Sequence, residues 1–163
     1  NAHKLQDHVA QKGSIAGYPG GKSISREEFF AIKSDIFAPC ALENQIREAE
    51  AKVLTAKVVV EGANGPCSPE GERILVDRGV TILPDVLANS GGVTVSYYEW
   101  VQNKRSESWT EEEVDEKLER AMKKAYRDVS DFARLKKCDL RVAAYAIALQ
   151  RIQMVYKERE IFP

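Results

Sequence analysis

Asparagine, serine and paired glycine stand together at Asn89-Ser90-Gly91-Gly92, between an apolar run (Val80 to Leu83) and an aromatic segment that reaches Asn103. Each type has a use. The amide orients a polar group. The glycines let backbone turn tightly and approach a ligand, and the N–H groups of a helix starting there suit an anion such as a carboxylate. As a bare turn, the same four residues would only cap a helix. The preceding strand points elsewhere, because open α/β sheets bind ligands beyond the carboxyl ends of their strands. Two other stretches have this form: Phe37-Ala38-Pro39-Cys40-Ala41 and Val60-Glu61-Gly62-Ala63-Asn64-Gly65-Pro66. Small residues there admit a flat ring, and Asn64 supplies a second amide. Asn-Gly-Pro alone is ordinary turn chemistry, but three such strand ends in order describe one crevice.

Other chemistry is harder to build. Ala16 to Ser23 fits a relaxed phosphate-loop pattern, yet polar residues precede it and the helix cap comes only at Ser25, so it reads as a glycine-rich surface turn. Cys40, Cys67 and Cys138 are far apart, and with only His3 and His8 available no metal site is expected. All three read as free thiols of a reducing cytosol, and Cys40 and Cys67 as buried small hydrophobes. Asp85, after Leu83-Pro84, is placed to fix loop backbone more than to carry protons. With 24 basic and 25 acidic side chains, net charge −1, no global field suggests a nucleic acid or membrane partner. The first residues hold no initiator Met and no apolar signal core, and read as an internal cut in a longer protein.

The elements that must position these residues follow from pattern. Ile36 to Ala38, Val58 to Val60 and Val80 to Leu83 are short runs without polar alternation, as in parallel strands buried on both faces. Ser25 to Glu28 is a capping box for a helix ending before Ser34. Asn44 to Ala51 predicts a short helix, and Ser68-Pro69 starts another that ends near Gly79. Strand, helix, strand, helix, strand is a βαβ grammar. Thr110 to Glu113 is a second capping box, opening a helix with Val114, Leu118, Ala121, Ala125, Val129 and Phe132 on one face. Asp139 caps a last helix striped by Ala143, Ala144, Ile147, Ala148, Ile152 and Val155. The fold class is α/β: a partial Rossmann-type, doubly wound parallel sheet followed by C-terminal helices at about 110–157. No G-x-G-x-x-G occurs, so the pyrophosphate-binding half of such a fold would lie outside these 163 residues, and this would be the half bordering nicotinamide.

Three blocks, AKVVVEGANGPCSPEGERIL, VTILPDVLANSGGVTVSYYEWVQN and CDLRVAAYAIALQRI, resemble successive blocks of the glutamate dehydrogenases, within the glutamate/leucine/phenylalanine/valine dehydrogenase family. The resemblance covers nearly the whole chain and is weakest before Ser34. It implies the C-terminal part of the nicotinamide-dinucleotide-binding domain across residues 1–163, NAD or NADP as cofactor, and a homo-oligomer (a hexamer) in the cytoplasm. The block after Ser-Gly-Gly favours glutamate over leucine or phenylalanine as substrate, and its Tyr-Tyr-Glu-Trp form resembles NAD-using or dual-cofactor enzymes. By resemblance Ala41, Asn64 and Asn89 would border the nicotinamide and its ribose. Ser96 would hydrogen-bond the substrate side-chain carboxylate, with Val93 beside its methylenes. Taken alone, Ser96 is a solvated helical serine. Glu99 and Trp100 are expected to be structural. Cys40 departs from the alanine expected in a Pro-Ala-Ala strand end. The catalytic lysine and aspartate of the family belong to a substrate domain not found here, so this piece alone is expected to be inactive. A non-catalytic binding or assembly module built on the same fold is the alternative.

Overall fold

The computed structural model describes Ala2–Arg159. In chain order these residues form α1 (Ala2–Lys12), α2 (Arg26–Phe30), β1 (Ile36–Phe37), α3 (Glu48–Val53), β2 (Val58–Val60), α4 (Pro69–Asp77) and β3 (Thr81–Leu83). There follow α5 (Asp85–Ala88), α6 (Gly91–Arg105), α7 (Glu111–Lys136) and α8 (Leu140–Glu158). The three strands make one parallel sheet in the order β1-β2-β3, with Phe37 opposite Val59 and Val59 opposite Ile82. This is the α/β architecture expected from the sequence, with the two long helices behind it.

Local chemistry sets the helix starts. The Ser25 and Thr110 hydroxyls accept from the backbone N–H groups of Glu28 and Glu113, whose carboxylates reach back to the cap backbone. The Ser68 hydroxyl and the Asp139 carboxylate cap α4 and α8 in the same way, and Pro69 occupies the first helical position, where its missing N–H costs nothing. The helix expected over Asn44 to Ala51 starts later, at Glu48. Asn44 is left-handed, with φ of 52°, and Ile46 forms a parallel bridge with Cys67. Backbone N–H groups of Asn44, Gln45 and Ile46 are thereby spent on the carbonyls of Gly65 and Pro66. Gly71 makes this possible. A Cβ there would lie 2.2 Å from the Ile46 carbonyl oxygen, so only glycine lets α4 sit against this segment.

Alternation along the strands divides the packing. Phe37, Val59 and Ile82 point to one face and join Phe30, Ile46, Ala51, Leu54 and Leu75 beneath α2, α3 and α4. Leu83 packs on the other side with Leu87, Val129, Ala133, Ala143 and Ala144, from α5, α7 and α8. The strands are therefore not buried on both faces throughout, as their composition suggested. The helices of the second cluster cover β3, but Ile36 of β1 is 63% exposed and Val58 and Val60 are half-buried. β1 also lies at the edge of the sheet. The stretch Ala16 to Ser23 is an exposed turn, and no helix begins at its Lys22-Ser23.

Candidate functional site

The three strand ends form one continuous corner. Beyond β1, the Pro39 carbonyl accepts the Ala63 N–H at 2.8 Å, tying the first end to the second. Cys40 lies against Gly62: a Cβ on Gly62 would fall 2.6 Å from the Cys40 Sγ, so a larger residue there would push this thiol aside. Cys40 is exposed, contrary to the expectation that it is buried, because it stands on this open corner; Cys67 is buried as expected. Burial, then the neighbouring Glu61 charge, pushes the Cys67 thiol far above its usual range and so disfavours the thiolate. Ala41 follows on the rim of a groove of about 660 Å³ lined by Ile24, Phe29, Phe37 and Cys40.

The second and third ends meet through their amides. Asn89 Nδ2 donates to Asn64 Oδ1 at 2.7 Å. This pairing leaves the Asn64 amino group as donor and the Asn89 carbonyl as acceptor, side by side, for a bound group. Two of the three residues expected to border a ring are thus in direct contact, and Ala41 stands on the neighbouring strand end.

After Asn89 the chain enters α6 without a side-chain cap, since the Ser90 hydroxyl donates to the Leu87 carbonyl instead. Gly91 and Gly92 are the first two residues of this helix and neither has positive φ, so they do not form the tight turn expected of them. A Cβ on Gly92 would meet nothing within 4 Å, and one on Gly91 only Leu118 at 3.8 Å. What they provide is bare helix N-terminus facing open space. Val93 and Ser96, three residues apart, share a face of α6. Val93 is 69% exposed, and the Ser96 hydroxyl donates to the Gly92 carbonyl at 3.2 Å, a bond to its own helix that one χ1 rotation would release. Trp100 is not a core residue: it is 56% exposed and stacks on Tyr97 at 5.9 Å, because none of α6 is buried by the described residues.

Beneath the corner lies a charged network that sequence reasoning missed. Arg141, at the start of α8, donates from Nη2 to Glu61 at 2.6 Å, from Nε to Glu72 at 2.7 Å and from Nη1 to Asp85 at 2.9 Å. Glu61 is fully buried at the end of β2. Its Oε2 also accepts the Asp85 N–H at 2.9 Å. Asp85 does fix loop backbone, as expected, and across chain segments: its Oδ2 accepts the Gly65 N–H at 2.8 Å. Burial alone would raise the Asp85 carboxyl, but the Gly65 and Val86 N–H groups and the Arg141 guanidinium outweigh it and hold the group below its ordinary value. The available signal was Glu61 itself, a carboxylate directly after Val58-Val59-Val60, which demands a counter-charge. Among the described residues no cluster of His, Cys, Asp and Glu could hold a metal ion, and no helix is long and apolar enough to cross a membrane.

The glutamate/leucine/phenylalanine/valine dehydrogenase family model matches residues 1–159. The chain is similar to the glutamate dehydrogenase of Thermotoga maritima, at 44% identity over 163 residues, covering 100% of this chain and 39% of the relative. It is similar to the NAD-specific glutamate dehydrogenase of Peptoniphilus asaccharolyticus at 47% identity, covering 90% of this chain and 35% of that protein. Among solved structures, the leucine-bound form of the hetero-hexameric glutamate dehydrogenase of Thermus thermophilus matches with a TM-score of 0.88 and 29% identity, over 100% of this chain and 38% of the other. The chain thus spans between a third and two fifths of the length of these relatives. Its sheet is the matching part of a Rossmann-type domain, and the chain belongs to the glutamate/leucine/phenylalanine/valine dehydrogenase family.

Proposed function

We propose that this chain is the C-terminal part of the cofactor-binding domain of a glutamate dehydrogenase, with α7 and α8 closing that domain. The complete protein oxidises L-glutamate to 2-oxoglutarate and ammonia. The observation that carries this reading is the Asn64–Asn89 amide pair at the mouth of three parallel strand ends, directly before the bare N-terminus of α6.

The corner fits a nicotinamide cofactor. A small-residue rim at Ala41, Ala63 and Gly62 admits a flat ring, and the two amides offer an adjacent donor and acceptor for a carboxamide or ribose hydroxyl. When bound, the nicotinamide accepts the hydride and so supplies the redox chemistry. The chain's own residues do the positioning. Asn64 and Asn89 fix the orientation of the ring. Ser96 donates to the substrate side-chain carboxylate after leaving the Gly92 carbonyl, Val93 lies along the substrate methylenes, and the uncapped N–H groups of α6 favour the negative charge. NAD or dual use is preferred over strict NADP use, and the named relative specific for NAD supports this. The free edge of β1 receives the rest of the sheet, in a cytoplasmic homo-oligomer, a hexamer.

The test is initial-rate measurement on the full-length protein, following reduced nicotinamide with glutamate, leucine and phenylalanine, each with NAD and NADP. Glutamate with NAD should be turned over, and the other two amino acids far more slowly. No turnover of glutamate with either cofactor would overturn the assignment.

A further inference from the structure

Resting on the reading of Asn64 and Asn89 as the nicotinamide contacts, we propose that Asp85 is the positioning residue that sets the spacing of these two amides, held in place from α8 by Arg141. Asp85 reaches both sides of the corner. Its carboxylate Oδ2 accepts the N–H of Gly65, the residue after Asn64, at 2.8 Å. Its own carbonyl accepts the Asn89 N–H at 3.0 Å. Its N–H donates to Glu61, three residues before Asn64, at 2.9 Å. The loop after β2 and the turn after β3 are therefore both registered against one residue, and the 2.7 Å amide pair is the outcome. Gly65 is left-handed, with φ of 52°, so the loop needs an external anchor as well as a permissive residue.

The same contacts exclude an acid–base role. Oδ1 accepts from Arg141 Nη1 at 2.9 Å and from the Val86 N–H at 2.7 Å, and Oδ2 is taken by Gly65. Every donor aimed at the group selects the ionised carboxylate, and no oxygen faces the cleft unpaired. An asparagine at 85 has one acceptor oxygen, so its amino group would confront either Gly65 N–H or Arg141. The side chain would still be accommodated, but one of the two anchors would be lost.

The experiment is a double-mutant cycle in the full-length dehydrogenase with Asp85→Asn, Asn64→Ala and the pair, reading kcat, KM for glutamate and melting temperature. Asp85→Asn should lower kcat on the order of 10- to 100-fold through misplaced geometry, with KM for glutamate nearly unchanged. In the Asn64→Ala background the same change should cost about twofold or less, because the amide that the carboxylate anchors through Gly65 is gone. Asp85→Glu keeps the charge and moves it by one methylene. It should show the same non-additivity and serves if the asparagine variant does not fold. Losses in kcat that simply multiply, or that scale with melting temperature across the variants, would overturn the positioning role while leaving the cofactor site standing. Wild-type kinetics for Asn64→Ala would overturn both.

Discussion

Arg141→Met should destabilise the protein by about 3–5 kcal/mol, the range for removing one partner of a buried ion pair. The reason is what stays behind. Glu61 has 0% exposure, so its carboxylate cannot recover hydration, and Glu72 and Asp85 converge on the vacated space. Glu61 Oε1 already lacks a hydrogen-bond partner, and the Cys67 thiol neighbours this carboxylate. The Coulomb gain of the intact cluster is offset by the cost of desolvating it, so the cluster as a whole adds little net stability. Arg141→Met combined with Glu61→Gln should therefore recover part of the loss. Arg141→Lys should not match the wild type, because one ammonium cannot present three separated donors in a fixed plane. Equilibrium denaturation of the variants measures this. A loss under about 1 kcal/mol for Arg141→Met would mean that water enters the cluster and that it does not lock the strand ends.

Ser96→Ala should cost on the order of 1.5–3 kcal/mol in kcat/KM for glutamate, the worth of one hydrogen bond to a charged group. Stability should hardly change, since the hydroxyl is exposed and bonds only the Gly92 carbonyl of its own helix. The discriminating measurement is the same ratio for norvaline, which keeps the methylenes beside Val93 and lacks the side-chain carboxylate. A much smaller loss on norvaline is expected. Equal losses on both substrates would show that Ser96 supports the helix and does not read the substrate.

What the sequence revealed, and what it hid, follows from the range of each interaction. Caps at Ser25, Ser68, Thr110 and Asp139 are local, and all four appear where residue type and spacing put them. The strands were legible because β-branched runs between helical stretches leave few alternatives. The contact between Asn64 and Asn89 was implied only as two ends opening on one crevice; the 2.7 Å bond needed the β2–β3 register. Arg141 was invisible because its three partners lie 56 to 80 residues away. The late start of α3 was hidden for the same reason: Asn44 and Ile46 answer to Gly65, Pro66 and Cys67 rather than to their helix neighbours. Gly91 and Gly92 misled in the opposite direction. Glycine permits a tight turn without requiring one, and here both residues simply begin α6.

The central claim is that the corner of Asn64, Asn89 and the start of α6 is where cofactor and amino acid meet. A crystal structure of the full-length protein with reduced cofactor and glutamate tests it most directly. The account predicts the nicotinamide ring and its ribose within hydrogen-bonding distance of Asn64 and Asn89, with Ala41 against the ring and Ser96 on the glutamate side-chain carboxylate. A nicotinamide bound elsewhere, with this corner in contact only with water or another part of the protein, would contradict it.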